Sequence, residues 1–165
     1  MPHYRRSRVL GATYFSTVNL ADRGSRVLVE RVVALRDAVR KVRAARPFHV
    51  DAWVVMPEHM HAMWTLPEGD ADYAGRWRAI KTAFSKSISQ GSGVWQKRYW
   101  EHTIRDDRDY AAHFDYIHLN PYKHGLVRNV KDWPYSTFHR MVDAGIYSPD
   151  WLCDDVEINV GEAKG

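Results

Sequence analysis

Two histidines separated by one residue, His59 and His61, begin a segment in which every second residue is apolar. Side chains alternate between faces along a β-strand, so we expect the imidazoles on one face and Met60, Ala62 and Trp64 on the other. The apolar set should face the core, which leaves the imidazoles on an open face. At this spacing two ring nitrogens can converge on one metal ion. Isolated His-x-His pairs are usually structural, so a metal site needs further ligands.

A third ligand and a nucleophile are both offered by the later segment DYIHLNP. Tyr116 and Asn120 are four residues apart and therefore lie on the same face of a helix. The amide of Asn120 can join His59 and His61 in a site that stays open to substrate. These neutral ligands leave the charge of the ion uncancelled, so the ion can polarise a phosphodiester oxygen. This chemistry favours Mg²⁺ or Mn²⁺ as the cofactor.

Tyr116 is the candidate nucleophile, although a phenol with a pKa of about 10 attacks phosphorus only when it is well aligned. A phosphotyrosine bond stores the energy of the broken phosphodiester, so a 3′-hydroxyl can reverse the reaction without ATP. Tyr122 is the alternative nucleophile, but it lies beyond Pro121, where the helix is predicted to end. His113 and His118 flank Tyr116 and are interpreted either as ligands of DNA or metal or, more often, as structural histidines.

The elements that must position these residues follow the order strand, helix, strand, strand, helix, strand, helix. Periodicity and turn residues predict them at about residues 11–20, 25–45, 48–55, 59–66, 72–90, 94–104 and 106–121. This order suits an α+β, ferredoxin-like (RRM-like) βαββαβ fold, with an antiparallel sheet, helices on one face and a C-terminal catalytic helix. Glu58 falls in the turn before the third strand and is expected to be solvated.

The composition is that of one folded domain with a basic character. The chain has 165 residues, of which 45% are hydrophobic, a formal net charge of +4 and a pI of about 9.2. Because no repeat or linker divides it, residues 1–145 are predicted to form a single domain that includes a basic N-terminal arm. Residues 146–165 form an acidic tail, and we expect this tail to fold over the active-site face and compete with DNA.

A basic protein favours a polyanionic partner, and the candidate DNA contacts are arginines and lysines. For each of them ordinary surface charge is the alternative interpretation. Aromatic residues lie between some of these cations, as single-strand binding requires, although aromatic residues of a strand often belong to a core. The candidates are Arg5, Arg6 and Arg8 in the arm, Arg76, Arg78 and Lys81 on the second long helix, and Lys97 and Arg98 near the fourth strand.

Cys153 is the single cysteine, which excludes an internal disulfide and a cysteine-based zinc site and is typical of a reducing compartment. The sequence contains no stretch that approaches the roughly 20 apolar residues of a membrane helix, and its N-terminus lacks an apolar signal segment. We therefore expect a cytoplasmic protein without a membrane partner. The absence of an obvious exposed dimerisation helix in the pattern favours a monomer.

Several longer segments carry a family resemblance that covers about residues 4–150. They are PEHMHAMWTLPEGD, GRWRAIKTAFS, WQKRYWEHTIRDDRDY, HFDYIHLNPYKHGLV and DWPYSTFHR. These segments resemble those of the REP-associated tyrosine transposases, which are relatives of the single-tyrosine HUH transposases of insertion sequences. The resemblance implies a ferredoxin-like fold, dependence on Mg²⁺ or Mn²⁺, and a bacterial, nucleoid-associated enzyme.

The same resemblance implies cleavage of single-stranded DNA beside the hairpins of repetitive extragenic palindromes, through a 5′-phosphotyrosine intermediate. It identifies His59 and His61 with the family's His-hydrophobe-His motif and Tyr116 with the nucleophile. Asn120 occupies the position of a third metal ligand, which is often Gln in related enzymes. The chain departs from the family pattern at Tyr122, where many relatives have Val.

Two other functions are compatible with the residues alone. A non-catalytic module that binds single-stranded nucleic acid can have the same order of elements, but it has no need for His59, His61 and Tyr116 together. A metal-dependent phosphoesterase that uses water as its nucleophile has the same ligands. Chemistry separates it from a transposase, because hydrolysis leaves no protein attached to DNA.

Overall fold

An antiparallel sheet of four strands lies at the centre of the protein, in a computed structural model that describes residues 9–153, 158 and 160. The predicted combination of an antiparallel sheet with helices is confirmed, and all neighbouring strands are antiparallel. The strands are β1 (Thr13–Asn19), β2 (His49–Val55), β3 (His59–Thr65) and β4 (Trp100–Thr103), in the spatial order β2-β3-β1-β4.

Helices connect and cover these strands. The long helices α3 and α4 begin after Asp72 and Asp106, whose carboxylates accept hydrogen bonds from backbone N–H groups of the first turn. None of the described helices has the length and apolar character needed to cross a bilayer. The helices are α1 (Val27–Glu30), α2 (Val32–Ala45), α3 (Tyr73–Ser87), α4 (Asp107–Lys123) and α5 (Phe138–Asp143), with a 3₁₀ turn at Val130–Asp132.

The helices cover both faces of the sheet. On one face α2 packs against α3, and Trp77 of α3 stacks on Trp64 of β3 with ring centroids 4.2 Å apart. On the other face α4 brings Tyr116 against Phe15 of β1 and His61 of β3. Side chains alternate along β3, so Trp64 and His61 point to opposite faces. The catalytic-helix candidate therefore packs on the face of the sheet that carries His61.

The predicted helix over residues 25–45 is divided into α1 and α2 at Arg31. The backbone of Arg31 lies outside the helical region (φ −117°, ψ 34°). Three valines flank it, and β-branched residues hold a helix less well than unbranched ones. Leu28 also donates its N–H to the carbonyl of Pro57, which ties α1 to the turn before β3. Tertiary contact and weak helical propensity together explain the break.

Only the last part of the predicted fourth strand forms β4. Earlier in that segment Trp95 makes an isolated bridge with Leu20. The chain then leaves the sheet, because Trp95 and Tyr99 turn toward α3 and contact Phe84 and Trp77 at ring-centroid distances of 5.5 and 6.3 Å. The aromatic pattern that predicted a long strand is thus partly a pattern of packing against a helix.

Helix α4 continues through Pro121, contrary to the prediction that it ends there. A proline removes one backbone donor from a helix. The helical hydrogen-bond pattern nevertheless continues after Pro121, since His124 donates its N–H to the carbonyl of Asn120 at 3.0 Å. Asn120 therefore keeps a helical backbone, and Tyr122 lies inside the helix rather than beyond it.

The end of α4 is a tight, hydrogen-bonded turn. Gly125 donates its N–H to the carbonyl of Tyr122, and Leu126 donates to the carbonyl of Pro121, each at 2.9 Å. These two bonds define a Schellman motif, which requires a left-handed residue after the helix. Gly125 supplies it with φ of 71°. The direction of the chain after α4 is therefore well defined.

The packed core extends beyond residue 145, where the domain was predicted to end. Tyr147 is buried, with its ring 5.3 Å from that of Phe138 and 5.7 Å from that of Phe114. Its hydroxyl donates to the carboxylate of Asp115 at 2.7 Å. Trp151 packs on Tyr147 with ring centroids 4.4 Å apart. The start of the predicted tail is therefore part of the folded domain.

Candidate active site

The two histidines of β3 lie side by side beneath α4. The ring centroids of His59 and His61 are 4.9 Å apart and the ring planes meet at 78°. The residues are only 2% and 0% exposed, so the expectation of an open face is wrong. The reason is tertiary, because α4 packs over this face. Buried imidazoles need defined polar partners, since burial without them costs free energy.

His61 is held by Thr17, its direct neighbour across the β1–β3 pair. The Thr17 hydroxyl donates to the carbonyl of Val160 at 2.6 Å and lies 2.8 Å from Nδ1 of His61. A hydroxyl has one proton to give, so the second contact requires Nδ1–H of His61 to be the donor. His61 is therefore in the tautomer whose Nε2 carries the lone pair.

His59 is held by the carboxylate of Glu58, whose two oxygens lie 2.7 and 2.8 Å from Nδ1. Burial raises the pKa of the Glu58 carboxyl, but the hydrogen bond with His59 and the nearby charges of His59 and Arg23 outweigh it, so the net pKa lies below the ordinary value. An ionised carboxylate only accepts, so Nδ1 of His59 carries a proton. The expectation that Glu58 is merely a solvated turn residue is wrong.

These contacts give both imidazoles the same protonation pattern, with Nε2 as the ligand atom. A metal-binding histidine typically donates its other ring N–H to a carboxylate or another oxygen, which fixes the ring. Glu58 accepts this N–H from His59, and Thr17 accepts it from His61. The donor chemistry therefore fits a divalent cation held by two imidazoles. Sequence reasoning missed both supporting residues.

Tyr116 lies against this pair. Its ring centroid is 5.4 Å from that of His61, with the planes at 79°. Tyr116 is 1% exposed. Lys123 follows it by seven residues on α4, and Nζ of Lys123 lies 5.2 Å from the centroid of the Tyr116 ring. The phenol is thus next to the imidazoles and enclosed.

Asn120 follows Tyr116 by four residues and is completely buried on the same side of α4. His124 follows after four more, and its ring centroid lies 5.3 Å from that of His59. The three residues therefore form a row that runs along the histidine pair. Sequence reasoning missed His124, although its spacing from Asn120 was a usable signal. Tyr122 is off this row and 41% exposed.

A second cluster joins β4 to the start of α4. Oδ2 of Asp109 accepts from Nε2 of His102 at 2.8 Å, and Oδ1 of Asp109 lies 3.2 Å from Nδ1 of His113. The ligand atoms of the three residues lie within 4.8 Å of one another. The two imidazoles, however, are stacked 4.7 Å apart at only 14°. An imidazole binds metal in its ring plane, so rings stacked this way do not share one ion without rotating.

His118 belongs to the core. Its Nδ1 lies 2.8 Å from the carbonyl of Phe114, and its Nε2 lies 2.7 Å from the hydroxyl of Thr137. Burial lowers the pKa of His118 to about 3. The sequence left open whether the histidines that flank Tyr116 bind DNA or metal or are structural. His118 is structural.

Arg76 is buried and does not belong to the DNA surface predicted from the sequence. It is 2% exposed, and its guanidinium donates to Asp70 at 2.7 Å and to the carbonyls of Pro47 and Arg46 at 2.9 and 3.1 Å. All of these are contacts within the fold. The residue is a buried tie between α3 and the chain before β2, because its neighbours offer enough acceptors to satisfy a buried charge.

Other predicted DNA contacts do come together. Arg78, Lys81 and Lys97 line a cavity of about 300 Å³ with Trp95 and Tyr99. Nζ of Lys81 lies 4.9 Å from the centroid of Tyr99, within reach of a cation–π contact. Arg98 is exposed next to Lys97, whereas Arg5, Arg6 and Arg8 lie outside the described residues.

Comparisons with known proteins identify a family. No protein-family model matches the chain. The REP-associated tyrosine transposase of Escherichia coli (strain K12) is 51% identical over 162 residues, which cover 98% of each chain. A relative from Haemophilus influenzae is 43% identical over 164 residues, which cover 92% of this chain and 93% of the relative. It is provisionally named a REP-associated tyrosine transposase. A solved structure of a REP-associated tyrosine transposase bound to a REP hairpin superposes with a TM-score of 0.95, at 50% identity, over 99% of this chain and 98% of that one. With such identity over nearly the whole length, the chain belongs to the REP-associated tyrosine transposase family.

Proposed function

We propose that the protein cleaves and rejoins single-stranded DNA beside REP-like hairpins, through a 5′-phosphotyrosine intermediate on Tyr116. The observation that carries this proposal is the contact of Tyr116 with His61, beside a second imidazole, His59, in the same tautomer. Family membership supports the same reaction class.

The reaction follows from the nucleophile. The phenolic oxygen of Tyr116 bonds to the phosphorus and gives up its proton, while the bond from phosphorus to the 3′-oxygen breaks and that oxygen takes up a proton. The DNA then has a 3′-hydroxyl on one side and a 5′-phosphate attached to the protein on the other. Rejoining reverses these steps with the same or another 3′-hydroxyl, and no external energy source is needed because one ester replaces another.

His59, His61 and Asn120 are proposed to hold Mg²⁺ or Mn²⁺. When bound, the ion polarises a phosphodiester oxygen and makes the phosphorus easier to attack. The chain's own contribution is alignment: α4 presents Tyr116 and Asn120 on one face, and β3 presents the two imidazoles opposite them. Glu58 and Thr17 accept hydrogen bonds from Nδ1 of these imidazoles and so fix the orientation of the rings.

DNA is proposed to bind through the cations outside this buried site. The related structure contains a REP hairpin, which supports a hairpin as the partner. The pocket formed by Arg78, Lys81 and Lys97, together with Arg98, offers positive charge to a phosphate backbone. Arg5, Arg6 and Arg8 of the N-terminal arm are proposed to add further phosphate contacts.

The C-terminal tail is proposed to regulate access to the site. Val160 is buried, and its carbonyl accepts the hydrogen bond of the same Thr17 hydroxyl that holds His61. Val160 therefore lies beside a proposed metal ligand, whereas the acidic residues Asp154, Asp155, Glu157 and Glu162 lie outside the described residues. This contact supports the expectation that residues near the C-terminus compete with DNA.

The finer description of the fold and setting is also proposed. The strand order β2-β3-β1-β4 and the βαββαβ sequence of the main elements support a ferredoxin-like arrangement with α4 added on the second face. Action on DNA supports a cytoplasmic, nucleoid-associated protein. A monomer is the proposed oligomeric state, because Tyr116 and His61 of one chain already meet.

The decisive experiment is a search for the covalent intermediate. A labelled REP-like hairpin with unpaired flanks is incubated with protein and Mn²⁺ and separated under denaturing conditions. We expect a protein–DNA adduct with the wild-type chain and with Tyr122→Phe, and no adduct with Tyr116→Phe. The reverse pattern would identify Tyr122 as the nucleophile. Cleavage without any adduct would indicate attack by water, and binding without cleavage would indicate a non-catalytic module.

A further inference from the structure

A cavity of about 750 Å³ opens beside the C-terminal end of α4. Its lining includes Tyr122, Lys123, Leu126, Arg128 and Cys153. This volume lies within the range of about 300–1,000 Å³ that is typical of clefts for small ligands. The cavity is separate from the pocket lined by Arg78, Lys81 and Lys97.

The lining combines apolar surface with positive charge. Tyr122 and Leu126 are 41% and 39% exposed, although large apolar side chains are mostly buried in this protein. Lys123 and Arg128 lie in the same lining. A ring on which a base can stack, next to cations that neutralise a phosphate, is the combination by which proteins bind single-stranded nucleic acid. Charge complementarity thus points to a nucleotide as the occupant.

The cavity adjoins the nucleophile through a shared residue. Lys123 lines the cavity, and its Nζ lies 5.2 Å from the ring centroid of Tyr116. A nucleotide whose phosphate reaches Lys123 is therefore close to the phosphate that Tyr116 attacks. The cavity therefore lies next to Tyr116 rather than at a remote surface.

The cavity wall is held in place before DNA binds. The Schellman bonds from Gly125 and Leu126 to carbonyls of α4 fix the turn that carries Leu126. Tyr122 belongs to the last turn of α4 itself. A preformed wall lowers the ordering cost of binding.

We propose that this cavity binds one unpaired nucleotide next to the scissile phosphate, with its base stacked on Tyr122 and a phosphate paired with Lys123 and Arg128. The inference rests on the proposed function and deepens it by naming a subsite for the substrate strand. It assigns Tyr122 a role in recognition, whereas the covalent step belongs to Tyr116.

The test is a thermodynamic cycle in which both the protein and the DNA are changed. Binding is measured without metal, so that no cleavage occurs, for a hairpin with single-stranded flanks and for the same hairpin with blunt ends. We expect Tyr122→Ala to weaken binding of the flanked hairpin about 5- to 150-fold, the range for loss of one stacked base. Binding of the blunt hairpin should change less than twofold. Tyr122→Phe keeps the ring and should retain most of the affinity for the flanked hairpin.

A matched control and a direct probe complete the test. Val33→Ala shortens another exposed apolar side chain, on α2 at 67% exposure, and should affect neither DNA. With 2-aminopurine in the flank, we expect fluorescence quenching by the wild-type chain and by Tyr122→Phe, but not by Tyr122→Ala.

Equal weakening of both DNAs by Tyr122→Ala, or no weakening of either, would overturn the subsite. Thermal unfolding of each variant distinguishes loss of the site from loss of the fold. Binding in this cycle is measured without metal and needs no covalent step. If the adduct assay showed that Tyr116 is not the nucleophile, the binding result would therefore still test the subsite separately.

Discussion

Thr17 and His61 face each other across the two central strands, with the threonine hydroxyl 2.8 Å from Nδ1 of the imidazole. The same hydroxyl donates to the carbonyl of Val160, which makes it an acceptor toward the histidine. One threonine therefore sets the tautomer of a proposed metal ligand and contacts the C-terminal tail. Neither role is visible from the pattern around His61 alone.

The first prediction concerns this threonine. Thr17→Val keeps the shape of the side chain and removes the acceptor for Nδ1–H of His61, so the imidazole loses its fixed orientation. Loss of such a supporting contact typically lowers metal affinity about 10- to 100-fold. We expect this decrease in Mn²⁺ affinity, measured on the protein without DNA by electron paramagnetic resonance. Thr17→Ser retains the hydroxyl and should bind almost as well as the wild type. An unchanged affinity in Thr17→Val would contradict the assigned role.

Glu58 provides the second prediction. Its carboxylate holds Nδ1 of His59, so Glu58→Ala should weaken Mn²⁺ binding by about 10- to 100-fold and slow adduct formation at low metal concentration. Glu58→Gln retains an acceptor oxygen without the charge, so its Mn²⁺ affinity should lie between those of the wild type and Glu58→Ala. Glu68 is an exposed glutamate and serves as the control, since Glu68→Ala should bind metal normally. Equal affinities for Glu58→Ala and Glu68→Ala would rule out the support of His59 by Glu58.

The third prediction concerns the pH dependence of stability. The hydrogen bond from Arg76 lowers the pKa of Asp70 from its ordinary value of 3.8 to about 2. A carboxyl with a lowered folded-state pKa stabilises the fold above its unfolded-state pKa and loses that contribution as the pH falls toward 2. The free energy of unfolding should therefore be lower for Asp70→Asn than for the wild type at pH 6. The difference should shrink between about pH 4 and pH 2.

Urea unfolding at several pH values measures this difference. Asp37, which pairs with Arg40 on the exposed face of α2, offers a matched control, because exposed ion pairs contribute little. Asp37→Asn should be close to the wild type at every pH. If the difference between Asp70→Asn and the wild type were constant from pH 6 to pH 2, the ion pair would not be its source.

The fourth prediction concerns the tail. Truncation after Cys153 removes Val160 and its contact with Thr17, so we expect faster adduct formation on flanked hairpin DNA, with a smaller loss of stability than the truncation after Gly145 causes. Truncation after Gly145 also removes Tyr147 and Trp151, which pack in the core. Loss of a buried aromatic side chain costs about 3–5 kcal/mol, so this shorter chain should be markedly unstable. Unchanged or slower cleavage after the truncation at Cys153 would argue against a regulatory tail.

Local pattern was sufficient for much of this protein. The alternation along β3 predicted that His59 and His61 share a face, and the four-residue spacing placed Tyr116 and Asn120 on one side of a helix. Both follow from the periods of regular secondary structure, which depend on neighbouring residues only. The order of strands and helices likewise follows from periodicity and turn residues.

Tertiary structure decided what those local patterns leave open. It covered the histidine face with α4, buried Arg76, placed His124 beside His59 and gave Glu58 and Thr17 their contacts with the imidazoles. The physical reason is sequence distance: Thr17 meets His61 across 44 residues and Val160 across 143. Burial and protonation are set by such distant partners, and periodicity along the chain carries no information about them.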